Sequence, residues 1–216
     1  DTRAIVRNIL GDVSEPVLRR IQERTGGNPL FIEELCRTVR EPGAEKGLPP
    51  QSVVGDVVPD SVAAVVRARI DRLTPAHVHL LKLASVLGEE FPRALLERLC
   101  GGEIDVLLEG LVGADLLHEL PDGETCRFKH AIVQEVAYAM LLHQRRRALH
   151  ATVGRLIEEE AGPRVEEQVE RLAHHFARSD ERDKAVFYLE GSGDKAAASG
   201  AMVQALGRYR GAVSIL

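Results

Sequence analysis

The chain has no tryptophan, and aromatic residues make up only 4 % of its 216 positions. Apolar residues still account for 44 %, so the core has to be aliphatic, as in helical proteins rich in Leu, Ala and Val. Cysteine is equally scarce. Cys36, Cys100 and Cys126 are far apart and form no CxxC, which argues against a disulfide or zinc framework and for reduced thiols in a cytoplasmic protein. No apolar run approaches the roughly 20 residues that cross a bilayer. The first ten residues, DTRAIVRNIL, lack the basic-then-apolar build of a signal peptide. There is no excess of positive charge: the formal net charge of −5 gives no general pull toward nucleic acid or an anionic membrane. No GxxxxGK[ST] loop, HExxH, GxSxG or carboxylate-rich metal motif occurs. No catalytic residue is therefore assigned, and the chain is not expected to be an enzyme by itself.

What is present is helical periodicity, in a chain long enough for one large or two modest domains. Residues 2–10 and 14–25 have helical spacing. In the second stretch Ser14 suits the N-cap, Pro16 the first turn, and Val17, Leu18 and Ile21 the apolar stripe. Thr25-Gly26-Gly27 ends that helix, because glycine adopts left-handed angles at little cost. Asn28 can cap the next helix and Pro29 suits its first position. Leu30, Phe31, Leu35 and Val39 continue at core spacing. Residues 41–59 hold four prolines and three glycines and are predicted to be a linker or irregular excursion.

Periodicity resumes with Val62, Val65, Val66, Ile70 and Leu73. A helix capped by Thr74-Pro75 runs to about Leu87 and stops at Gly88. Two short helices are predicted over 92–100 and 103–114. Two strand-like runs then flank Pro121-Asp122-Gly123, the pattern of a β-hairpin. Helices fill the chain from residue 130 onward. Gly193, Ala196, Ala205, Tyr209 and Ala212 fall at spacings used by tetratricopeptide repeats, where small residues let paired helices approach. The expected fold is mainly α: a helical segment and linker over 1–58, a winged helix with one small hairpin over 59–130, and an α-α superhelical segment over 131–216. The chain begins and ends within helical patterns and is expected to be a piece of a larger protein.

A winged helix suggests DNA binding, but its recognition helix would be 103–114, with Glu103, Asp105 and Glu109 and no Lys or Arg. Phosphate would repel it, and it has no cationic donors to read base edges. No direct DNA binding is expected. The basic run Arg145-Arg146-Arg147 reads as a solvated helix face. Adjacent residues on a helix diverge by about 100°, so His174 and His175 make a poor chelating pair. His143 and His150 lie seven apart on one helix, and no metal ligands are assigned.

Three stretches resemble one family. RTGGNPLFIEEL is similar to the segment after the nucleotide-binding core of STAND-type regulatory ATPases, a signalling branch of the AAA-like NTPases. It is closest in kind to bacterial regulators that carry a class III adenylate/guanylate cyclase or a LuxR-type domain. VPDSVAAVVRARIDRLTPAHVHLLKLASVLGEEF resembles the entry to that family's winged helix. CRFKHAIVQEVAYAMLLHQRRRALH resembles the junction between winged helix and superhelix.

The resemblance implies that residues 1–58 are a helical lid closing over ADP or ATP. In the family the proline of the GNP corner packs on the adenine, which here is Pro29, presented by Gly27 and Asn28. A histidine at the winged-helix exit, here His130, reaches the β-phosphate of ADP; relatives often carry Asp after it, where this chain has Ala131. Glu33 and Glu34, one turn beyond Pro29, would favour a base contact over a phosphate contact there. The phosphate loop, the magnesium-binding acids and the sensor arginine would lie in an upstream NTPase core, so the chain alone is expected to hold no nucleotide strongly. A protein partner or small-molecule inducer would act on the superhelix, with self-association in the ATP state. The alternative is a helical-repeat interaction scaffold that makes no nucleotide contact.

Overall fold

The computed structural model of the protein describes residues 2–40 and 61–216; the predicted linker over 41–59 lies outside the described residues. The fold is mainly α with one small antiparallel sheet. It divides into two units, residues 1–78 and 79–216.

The first unit contains α1 (Thr2–Leu10), α2 (Glu15–Thr25), α3 (Pro29–Arg40) and α4 (Val62–Ile70). Its core joins Val6, Val17, Leu18, Ile21, Phe31, Ile32, Leu35, Cys36 and Val65, one apolar stripe from each helix. Burying each such aliphatic side chain contributes about 1.5–3 kcal/mol, and one aromatic ring, Phe31, suffices among them. Two details differ from the expectation. Ser14 occupies the N-cap of α2, but its hydroxyl makes no capping bond; its carbonyl accepts from Val17 and Leu18 instead. On α3 the buried stripe takes in Ile32 and Cys36, while Leu30 is half-buried. Val39, expected on that stripe, has its side chain outside what the structure describes. At α4 the Ser61 hydroxyl accepts from the Ala64 amide at 3.2 Å, a side-chain N-cap.

α3 and α4 are tied by a wholly buried ion pair. The Arg69 guanidinium donates to Glu34, with side chains 2 % and 0 % exposed. Such a pair repays its desolvation only while both charges are present.

The second unit begins within α5 (Pro75–Leu87), which ends at Gly88 with φ 118°. There follow β1 (Glu90–Pro92), α6 (Arg93–Cys100), α7 (Asp105–Gly113), β2 (Leu117–Glu119) and β3 (Thr125–Phe128). β2 and β3 form the hairpin around Pro121-Asp122-Gly123, and β1, which sequence patterning does not reveal, pairs with the other edge of β3 to give the order β1-β3-β2. Asp122 closes the turn by accepting from the amides of Glu124 and Thr125 at 3.0 and 2.9 Å. Phe91, Cys126 and Phe128 point inward, and the two phenyl rings meet edge to face at 5.9 Å. On the opposite face Arg127 donates to Glu90, its register partner.

The remaining chain forms α8 (Ala131–Ala139), α9 (His143–Ala161), a 3-10 segment (Gly162–Gln168), α10 (Val169–Phe176), α11 (Arg182–Ala198) and α12 (Met202–Val213). Consecutive helices from α9 onward pack on one another. At the α9/α10 and α11/α12 seams they do so through glycines facing rings. A methyl group added at Gly154 would stand 2.7 Å from Cζ of Phe176, and one at Gly193 would stand 2.5 Å from Cε1 of Tyr209. Ala205 and Ala212 are buried along the same last seam.

Breaking the Glu34–Arg69 pair from one side leaves a buried, uncompensated charge. Arg69→Met is expected to cost about 3–5 kcal/mol, and the double change Glu34→Leu with Arg69→Met to recover most of that loss. Denaturant unfolding of the four variants in the cycle measures both.

Candidate functional site

The Gly-Gly-Asn-Pro corner is built as its residue types demand. Gly26 and Gly27 both have positive φ, 58° and 76°, and the left-handed turn they form carries the chain out of α2. Asn28 accepts at Oδ1 from the amides of Leu30 and Phe31, at 3.1 and 3.4 Å, and so caps α3. Pro29 is the first residue of that helix and is exposed. The two acids beyond it do not face solvent as a shared acidic patch. Glu33 accepts from Arg37 at 2.6 Å, and Glu34 is turned into the core toward Arg69. The charge expected at this corner is thus largely neutralised by arginines.

His130 is the N-cap residue of α8, in extended backbone with φ −143° and ψ 144°. It directly follows β3 across Lys129, and its carbonyl accepts from the Val133 amide at 2.9 Å. The residue is half-buried. A bond from the Gln134 side chain to the Ser85 carbonyl, 2.7 Å long, anchors the same helix to α5. Pro29 and Gly27–Asn28 belong to the first unit and His130 to the second.

A third constellation is not legible in the sequence. His150, on α9, is buried and faces His175, on α10, also buried. Their Nδ1 atoms are 3.0 Å apart. His150 Nε2 meets the Tyr138 hydroxyl at 2.9 Å. His174 stands beside them on the exposed side, its ring 5.1 Å from that of His175 and 6.0 Å from that of His150. One nitrogen from each of the three rings falls within a set whose members lie no more than 4.8 Å apart. Helical divergence separates neighbours on one helix, as expected, but His150 arrives from another helix and meets both. His143, at the start of α9, is exposed and outside the cluster. The one available signal was the pairing of two adjacent helices with a histidine at matched positions, and that requires knowing the register between them.

Two residues of the arginine run are engaged locally, while Arg145 is exposed. The Arg146 guanidinium lies 4.6 Å over the Tyr138 ring and donates to the Ala139 carbonyl at 2.9 Å. Arg147 pairs with Asp180. The buried thiols are poor nucleophiles: burial pushes Cys36 up to about 12 and Cys126 up to about 11.

No protein-family model and no solved structure matches the chain. The chain is similar to an uncharacterized protein of Rhizobium meliloti (strain 1021), 23 % identical over 189 residues, a stretch that covers 84 % of this chain and 18 % of that protein. The chain thus spans about a fifth of the length of the curated relative it matches.

Burial, and after it the neighbouring His174 and the charges of Arg178 and Arg146, holds His150 well below the usual histidine value. His175 is depressed in the same way, with Arg171 and Arg178 adding to its burial. His174 is lowered first by partial desolvation of its ring and then by Arg178 and Arg208, but the residue as a whole is exposed, so the two buried rings carry the effect. A histidine kept neutral when folded takes up protons more readily once unfolded. Its contribution to stability is therefore complete above the unfolded value of about 6.5 and is lost as pH falls toward the depressed folded value. The free energy of unfolding in urea should fall with a slope, for each buried ring, that steepens from about 0.7 kcal/mol per pH unit near pH 6.5 to about 1.3 kcal/mol per pH unit near pH 5.

Proposed function

We propose that the chain is the non-catalytic regulatory part of a STAND-type ATP-binding signalling protein. It would close over ADP or ATP held by an upstream NTPase core and relay the nucleotide state to an effector such as a nucleotide cyclase or transcription regulator. The observation that carries this reading is the corner at Pro29. An exposed, rigid ring sits at a helix start, presented by two left-handed glycines and an asparagine cap. Such a ring loses little entropy on meeting a flat base. Its two nearest carboxylates are engaged by arginines, so little free negative charge opposes an approaching nucleotide.

His130, at a strand-to-helix junction, is the residue that would reach toward phosphate, since an imidazole N–H donates to an anionic oxygen with a charge-assisted bond. The nucleotide's magnesium would come from the core, and this chain's residues would add only the base and phosphate contacts. The element order α5-β1-α6-α7-β2-β3, over residues 75–128, supports a winged helix within the segment 59–130. The helical hairpins beyond, closed by glycine and alanine against rings, support a tetratricopeptide-like superhelix. α7 carries Asp105 and Glu109, with Asp105 paired to Arg93, which favours packing over DNA contact. No helix among the described residues is long and apolar enough to cross a membrane, in keeping with a cytoplasmic regulator. In such a protein the two nucleotide states shift a population between closed and open forms, because this half touches them differently.

A scaffold reading without nucleotide contact draws on the last helices. Phe187, Met202, Val203, Leu206 and Val213 are exposed apolar residues on α11 and α12, and an exposed apolar surface is a common mark of protein partners.

In the longer protein, Pro29→Ala and His130→Ala are each expected to weaken ADP binding by about tenfold or to raise basal activity, read by nucleotide titration and effector output. Unchanged affinity and output in both would leave the scaffold reading. The isolated chain should show negligible ATP hydrolysis and, by calorimetry, binding weaker than about micromolar.

A further inference from the structure

We propose that His150, His174 and His175 form a binding site for a divalent first-row transition metal of the zinc type, at the seam between α9 and α10. The ligand atoms are already gathered, one from each ring and all within 4.8 Å of one another. The decisive contact is between the two buried rings. His150 Nδ1 and His175 Nδ1 are 3.0 Å apart, so one of them must carry a proton and the other a bare lone pair aimed at it. Two imidazole nitrogens on a tetrahedral zinc stand about 3.3 Å apart, given zinc–nitrogen bonds of about 2.0–2.1 Å. A cation can therefore replace the shared proton with a spread of a few tenths of an ångström.

That proton has somewhere to go. When His150 turns both roles over, its Nδ1 becomes bare and its Nε2 carries the hydrogen, which then donates to the Tyr138 oxygen 2.9 Å away. His175, with its proton on Nε2, presents its own bare Nδ1. Both rings remain neutral, no net proton is gained or lost, and two lone pairs converge on one point. A ligating histidine usually donates its other ring N–H to an oxygen that fixes its tautomer, most often a carboxylate, a carbonyl or water, and the Tyr138 hydroxyl oxygen stands in that place here. His174 supplies the third nitrogen from the exposed side, so the cation can enter from solvent and keep a water in the fourth position, the open arrangement of three-histidine sites.

The donor set selects the metal. Three imidazoles suit zinc, nickel, copper and cobalt; calcium and magnesium require oxygen ligands, and no carboxylate belongs to this cluster. Arg146, Arg171, Arg178 and Arg208 lie close enough to repel positive charge from one or more of the rings. This lowers affinity relative to a site with anionic ligands, and a micromolar dissociation constant is expected. Binding would clamp α9 to α10.

The test uses the 216-residue chain without a polyhistidine tag, stripped with chelator and titrated with zinc chloride by calorimetry. One zinc per chain is expected, with a raised melting temperature, no response to magnesium, and visible absorption bands of four-coordinate cobalt when Co2+ is the probe. His150→Ala risks the fold, so the deciding variant is the exposed His174→Ala. It should keep the native circular dichroism yet weaken zinc by at least about tenfold, while His143→Ala leaves zinc binding unchanged. The proposal is overturned by no one-to-one binding below about 100 µM, by equal affinity in wild type and His174→Ala, or by a loss that follows His143; the cluster is then a hydrogen-bonded seam only.

Discussion

Helices α9 and α10 come as close as they do because Gly154 leaves a space that the ring of Phe176 fills, with no room for one more carbon. A glycine inside a helix costs up to about 1 kcal/mol relative to alanine. Here the cost is offset by seating a fully buried ring, which also stacks on Tyr188 at 5.4 Å. That approach governs the chemistry of the second unit. His150 lies one turn before Gly154, and His175 immediately precedes Phe176. The spacing that admits the ring is the spacing that brings the two imidazoles into hydrogen-bond contact. In a chain so poor in aromatics, a few rings set against small residues determine how its helices meet, and the pair Gly193 and Tyr209 repeats the device on the last seam, between α11 and α12.

The first unit is held differently. Its apolar core is small, and the buried Glu34–Arg69 pair joins α3 to α4 where aliphatic contact alone would allow sliding. The directionality of the pair matters more than its net energy, since a buried ion pair of this kind contributes little against an apolar replacement. It also removes one acid from the neighbourhood of Pro29. A feature that reads as local electrostatics in the sequence, two glutamates after a proline, is converted by packing into one surface pair and one core pair. The corner is left as an apolar ring on a rigid base, which is the chemistry the proposed nucleotide contact needs.

The two candidate activities rest on separate parts of the chain. The proposed nucleotide role draws on backbone geometry at two helix starts and would require an NTPase core that this sequence does not contain. The proposed metal site draws on three side chains within one unit and stands whether or not the regulatory reading does.

Local physics was readable from the residues alone wherever the cause lies within a few positions. The glycine turn, the Asn28 cap, the Pro29 helix start, the stop at Gly88 and the Pro-Asp-Gly hairpin each follow from the conformational limits of those residue types, and helical periodicity marked most of the buried stripe. Three things required the folded chain. β1 is three residues long and is a strand only because β3 offers it an edge. Glu34 is a core residue only because Arg69 meets it from 35 positions away. His150 and His175 are partners only because two helices pack in one register. In each case the energy comes from a contact distant in sequence, and nothing in the local pattern of a single segment encodes which distant group will arrive.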